Sequence, residues 1–246
     1  MGLSSLIAVP FLTRHLKCIP LDWLGVQCVR RVWVAVARRL AATGPTIVVV
    51  VQAFDRSEIR CFLVVDEGSS HALPEADLAA GGGASPEGIA QLGGALVETA
   101  RRWAKDFTGS EPEVLHFPRD ARSAVAAVES TVLLIRPSVV RVSPDQAEEL
   151  LDDLENGCNA VIGPTLVGGW YMLALTAGNS KLIDAAGDGG SGSVGQFLSV
   201  AQAEPGLEVG ILRSERALNG DADLRAAAAD PLVEAEIATL LRAITD

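Results

Sequence analysis

Residues 161–175, VIGPTLVGGWYMLAL, decide how this chain is read. Two extended apolar segments meet through Pro164–Thr165 and a Gly168–Gly169 pair, and the second opens on Trp170–Tyr171. Neither glycine carries a Cβ, so backbone at this point can approach a ligand closely.

Outward from that stretch, strand-like and helix-like segments alternate. On its N-terminal side, SPDQAEELLDDLEN (143–156) predicts a helix with Ser143 at the N-cap, Pro144 at N1, Gln146 at N3 and Gly157 as its stop. TVLLI (131–135) reads as a buried strand, 120–129 and 89–106 as helices, 113–117 as a short strand, and IRCFLVVDEG (59–68) as another buried strand. The Gly/Ala/Pro/Ser-rich stretch 69–88 has too little side-chain volume to pack and reads as a surface loop or flap. Nearer the start, 4–10 and 46–51 read as strands flanking a helix over 26–43. Beyond the Gly-Gly stretch come a helix near 194–203, a strand over 207–213 and a C-terminal helix from 231. Such alternation implies one mostly parallel sheet covered by helices, with ligands at the carboxyl ends of its strands.

Composition agrees. The chain has 246 residues, 49% of them hydrophobic and only 4% aromatic, a mixture suited to parallel strands under Ala-rich helices. That length fits a single α/β domain over 1–246. A net charge of −11 opposes general nucleic-acid binding, which requires a basic surface. Basic residues nonetheless gather early, at Arg14, Lys17, Arg30, Arg31, Arg38 and Arg39. Cys18, Cys28, Cys61 and Cys158 lack the close pairing of zinc or redox sites and read as reduced thiols. No apolar run reaches the ~18 residues a membrane span needs, and MGLSSLIAVPFL has neither a basic leader nor a cleavage site. The expected location is cytoplasmic, with no nucleic-acid or membrane partner, and a homodimer is open. Gly190-x-Gly192-x-x-Gly195 follows no clear strand and reads as a loop before a helix rather than a dinucleotide fingerprint.

Three segments resemble the nucleotidyltransferase-like branch of the glycosyltransferase-A superfamily. LIAVPFLTRHLKCIPLDWLGVQCVRRVWVAVARRL is similar to the opening of cytidylyl- and guanylyltransferases. RDARSAVAAVESTVLLIRPSVVRVSPDQAEELLDDLENGCNAVIG resembles the central part of methylerythritol-phosphate cytidylyltransferases and of small transferases related to phospholactate guanylyltransferase. The Gly-Gly stretch and ALNGDADL (217–224) are similar to the second half of those small enzymes.

The resemblance implies a three-layer α/β/α sandwich of nucleotide-diphospho-sugar transferase type. It implies Arg14 and Lys17 as catalytic and nucleotide-binding cations, Arg122 and Ser123 as further nucleotide contacts, and Gly168, Gly169, Trp170 and Tyr171 as an acceptor pocket. Asp221, beside Asn219, falls near a metal-binding acid of the family. The pattern's other acids are replaced: the strand ending at Ile135 continues Arg136-Pro137-Ser138, and Val167 stands before the glycine pair. Nucleotidyl transfer relieves repulsion between phosphates with Mg²⁺ on two carboxylates and with Lys or Arg on the leaving group. Loss of the acids weakens the case for Mg²⁺ as cofactor; Arg136 reads either as a fixed positive charge near the vacant metal position or, more commonly for an Arg ending a strand, as a surface ion-pair partner. The Asp66–Glu67 pair, ending a buried strand, is a further candidate for metal or ribose. The expected partners are therefore a nucleotide and a small phosphorylated molecule, bound either by a transferase or by an inactive relative used for binding or assembly.

Overall fold

The computed structural model describes residues 27–29, 32–34, 55–66, 73, 78, 85–117, 119–177, 179, 181–187 and 189–245. Two compact units divide the chain, Met1–Ala53 and Phe54–Asp246. In the first, β1 (Gln27–Val29) and β2 (Val32–Val34) pair antiparallel. Within 26–43, read from the sequence as a helix, the described residues 27–29 and 32–34 are strand. The local density of Val29, Val32 and Val34 explains the difference, since β-branched side chains fit a pleated strand better than a helix. The expected strands at 4–10 and 46–51, with Arg14 and Lys17, lie outside the described residues.

The second unit is built on six strands in the order β4-β3-β5-β7-β6-β8. They are β3 (Arg60–Asp66), β4 (Glu113–Phe117), β5 (Val132–Ile135), β6 (Ala160–Pro164), β7 (Trp170–Leu175) and β8 (Val209–Ile211). All run parallel except β7, which is antiparallel to both β5 and β6. The mostly parallel sheet expected from the sequence is thus observed. β3 and β5 occupy interior places, and their apolar runs follow from burial on both faces. Phe62 and Val64 point to one core, while Cys61 and Leu63 point to the other. Burial pushes the Cys61 thiol up to about 12.

Helices cover both faces. On one side lie α1 (Pro86–Thr108) and α3 (Pro144–Glu155), which bury Ala100, Ala104, Phe107, Leu150 and Leu154 against the sheet. On the other lie α2 (Arg119–Ala126), α4 (Lys181–Ala186) and α5 (Ser193–Ala203), burying Ala121, Leu182, Ile183 and Phe197. The N-terminal half of α1 forms a third core with α6 (Asp221–Ala228) and α7 (Ala235–Thr245). The helix caps are locally encoded. Ser85 accepts the Gly88 N–H at 3.0 Å to start α1, and Gly109 ends it at φ 76°. At α3, Gln146 reaches back to the Ser143 N–H at 2.7 Å.

Three details depart from the sequence reading. Within the stretch read as an unpacked loop, Leu73 and Leu78 are buried in the third core, and α1 begins at Pro86 rather than 89. α4 and α6 are additional helices. Finally, β7 carries an extra residue where Gly163 pairs with Met172 and Pro164 with Trp170. The displaced residue is Tyr171, and the bulge turns its ring toward the α3 side beside Met172, while Trp170 faces the α2 side.

Candidate functional site

The strand order locates the site. From β3 the chain crosses through α1 to β4 on one flank, then through α2 to β5 on the other. The order thus reverses between β3 and β5, and open α/β sheets bind ligands beyond the carboxyl ends of their strands at such a reversal. Because β7 runs backward, its first residues share that edge with the ends of β5 and β6. Asp66, Arg136, Thr165, Gly168 and Gly169 are thereby brought to one side of the sheet.

Arg136 is 8% exposed, so the expectation of a strand-end surface charge gives way to a buried cation. Its backbone N–H donates to the Tyr171 carbonyl at 2.9 Å, and its guanidinium carbon stands 5.5 Å from the centre of the Trp170 ring. A planar, weakly hydrated guanidinium tolerates such a position better than an ammonium would.

The Gly-Gly stretch forms a tight β6–β7 turn. Gly168 donates to the Thr165 carbonyl at 3.0 Å, and Thr165 donates to the Gly169 carbonyl at 2.7 Å. Gly168 sits at φ 84°, a left-handed conformation that costs glycine little. The close approach made possible by Gly169 is to the protein's own backbone: a Cβ there would overlap the Gly189 carbonyl and stand 3.3 Å from that of Gly190. Trp170 and Tyr171 are both fully buried and serve as core residues of the two faces. The Trp170 indole donates to the Ala186 carbonyl at 2.9 Å, and its ring meets Phe117 edge-on at 5.6 Å. At the turn's tip Leu166 and Val167 are 59% and 46% exposed.

Beneath Tyr171 lies a polar network that sequence reasoning missed. Gln146, buried to 1%, donates to the Tyr171 hydroxyl at 2.9 Å and to Glu215 at 2.7 Å. The Tyr171 hydroxyl donates to the Arg213 carbonyl at 3.0 Å, and the Arg213 guanidinium holds Glu215 at 2.8 Å. Burial, with Glu215 nearby, pushes the Tyr171 phenol well above its ordinary range. The sequence signal was Gln at N3 of α3, which announced a cap but not a link to two strands.

The remaining candidates fall elsewhere. Arg122 lies on α2 in an ion pair with Asp184 of α4, which holds its guanidinium above the usual range. The Ser123 hydroxyl donates to the Asp120 carbonyl at 3.0 Å. Asp221 opens α6 and pairs with Arg225 one turn on, while Asp223 pairs with Arg216 at 2.9 Å. The Gly190–Gly195 run leads into α5, whose Val194 N–H donates to the Gly168 carbonyl at 3.1 Å. Asp66 ends β3, opposite Phe117.

Magnesium, implied by the resemblance, requires an oxygen-rich shell centred on carboxylates. At this edge Arg136 offers a guanidinium and Thr165 a hydroxyl, and the Glu215 carboxylate is engaged by Gln146 and Arg213, while the side chain of Asp66 and all of Glu67 lie outside the described residues. Among the described residues no three His, Cys, Asp or Glu side chains gather as a metal site. Among them, too, no helix is long and apolar enough to cross a membrane.

These features define an α/β protein with the nucleotide-diphospho-sugar transferase fold. The chain superposes on a Desulfovibrio desulfuricans G20 protein described as a nucleotide-diphospho-sugar transferase, with a TM-score of 0.59 and 15% identity, over 76% of this chain and 94% of that one. A homolog of Mycobacterium tuberculosis rv0371c from Mycobacterium sp. strain JC1 matches with a TM-score of 0.44 and 13% identity, over 76% and 99% of the two chains. The 4-diphosphocytidyl-2C-methyl-D-erythritol synthase of Anaerococcus prevotii DSM 20548 matches with a TM-score of 0.35 and 8% identity, over 67% and 94%. No family model and no curated protein matches the sequence.

Proposed function

We propose that the protein binds a nucleotide and a small phosphorylated molecule at the carboxyl edge of its sheet, in the manner of a cytidylyl- or guanylyltransferase-like protein, with a fixed side-chain cation in the role a metal would take. The observation that carries this reading is Arg136, a buried guanidinium at the end of β5 beside the point where strand order reverses. An anionic phosphate in a crevice shielded from water gains most from a charge already held in position. The fold shared with a nucleotide-diphospho-sugar transferase supports the ligand class. Arg136-Pro137-Ser138 and Val167, where the family resemblance leads one to expect acids, support a second reading, a relative that retains binding without turnover.

Calorimetric titration of the full chain with the four common nucleoside triphosphates tests the proposal. At least one should bind, and Arg136→Gln should weaken it by roughly tenfold or more, as expected for one charge-assisted contact. Failure of all four to bind, or equal binding by a folded Arg136→Gln variant, contradicts the reading.

A further inference from the structure

A buried hydroxyl without a hydrogen-bond partner is rare, because it forfeits its solvation for nothing. Two such groups border one turn of this protein: Thr165 Oγ1 and Ser193 Oγ, each on a residue 6% exposed. Thr165 directly follows β6, its Oγ1 3.1 Å from where a Gly169 Cβ would sit, a point also crowded by the carbonyls of Gly189 and Gly190. Ser193 begins α5, and its backbone N–H donates to the Gly190 carbonyl at 3.2 Å. The third wall is Arg136, whose Cδ would stand 2.9 Å from a Cβ on Gly189. The turn bordered by these three residues is Gly189-Gly190-Ser191-Gly192, with Gly190, Ser191 and Gly192 exposed.

We infer that Thr165, Ser193 and Arg136 form an oxyanion site for the terminal oxygens of a phosphate group, entered by outward movement of the Gly189–Gly192 turn. In the closed arrangement the Gly189 carbonyl accepts from the Trp170 N–H at 3.4 Å and the Gly190 carbonyl from the Ser193 N–H at 3.2 Å. The Trp170 bond is long, and a turn with three glycines carries little side-chain packing to lose. A phosphate entering there takes over the two carbonyls' place as acceptor for those N–H groups. It also gains the two hydroxyl donors and the guanidinium, at the first turn of a helix. The inference rests on the proposed function in placing a phosphorylated ligand at this edge, and it names the groups that hold the ligand.

The test compares the full chain with the double variant Thr165→Val/Ser193→Ala, by calorimetry with inorganic phosphate and by thermal unfolding in its absence. The full chain should bind phosphate, and the double variant should bind it roughly tenfold or more weakly. The variant's Tm without phosphate should be equal or higher, because removing unpartnered buried hydroxyls relieves a cost. Absence of phosphate binding by the full chain at millimolar concentration, variant affinity within about twofold of the parent, or a marked fall in Tm each overturns the site. Titration of both proteins with nucleoside triphosphates separates the two claims. Triphosphate binding fully retained by the double variant removes the site and leaves the nucleotide reading. Phosphate binding lost in the variant, with no triphosphate bound by either protein, keeps the site and removes the nucleotide reading.

Discussion

Gly169 and Gly192 lie in neighbouring turns but face different constraints. A side chain at Gly169 would run into the Gly189 carbonyl and the Thr165 hydroxyl, whereas Gly192 at φ 86° has open space around its Cβ position. Gly192→Ala should therefore cost only about 1 kcal/mol of left-handed strain, and Gly169→Ala substantially more, read as midpoints of urea unfolding. Equal midpoints would mean that the two turns are not packed against each other. Gly163 is a second such position, since a Cβ there would approach the Tyr171 ring to 2.6 Å; Gly163→Ala should cost about 1–3 kcal/mol by overpacking.

Asp153 gives a pH-dependent prediction. Its carboxyl packs over Gly210, and burial, with Asp152 and Glu149 nearby, raises its proton affinity in the folded state. A folded-state pKa above the unfolded one means that ionising Asp153 disfavours the native state, so its contribution is best at low pH and declines as pH rises through the folded pKa. Asp153→Asn should raise Tm at neutral pH, and the gain should vanish in acid, where both side chains are neutral. A gain that persists in acid would point to packing instead of charge.

At the scale of elements, α3 is tied to the sheet through one side chain. Gln146 caps its own helix, supports the Tyr171 hydroxyl and binds Glu215. Gln146→Ala should destabilise the fold by about 2–3 kcal/mol, because it strands several buried polar groups at once. A loss below about 0.5 kcal/mol, the range of an ordinary surface substitution, would show that water replaces the glutamine.

The elements also explain what the sequence could reveal. β3, β5, β6 and β7 were legible because strands buried on both faces are continuous apolar runs. α3 was legible because Ser-Pro-x-Gln is a local start signal. α6 was hidden because Asp221, which suits a helix's first turn, was read as an acid near a metal. The bulge at Tyr171 and the burial of Arg136 depend on pairing across β5, β6 and β7, so no local pattern announces them. The Gly-Gly pair was read as a close approach to a ligand; beside Gly169 stands instead the Gly189–Gly190 backbone, from a segment about twenty residues on along the chain.

At the scale of the whole molecule, the strand order reverses between β3 and β5, and a buried arginine stands at the carboxyl end of β5. Such a protein should recognise phosphate through fixed donors and charge. Restoring one acid by Val167→Asp should not create turnover, since a Mg²⁺ site needs several oxygen ligands and Val167 is an exposed turn residue. Pyrophosphate release by that variant in the presence of Mg²⁺ would contradict this.

The most direct measurement is the dissociation constant of the tightest-binding nucleoside triphosphate, in excess Mg²⁺ and again in EDTA. The two values should agree within about threefold, less than 1 kcal/mol, with no pyrophosphate released in either condition. Binding seen only with Mg²⁺, accompanied by pyrophosphate release from the unmodified chain, would contradict the account.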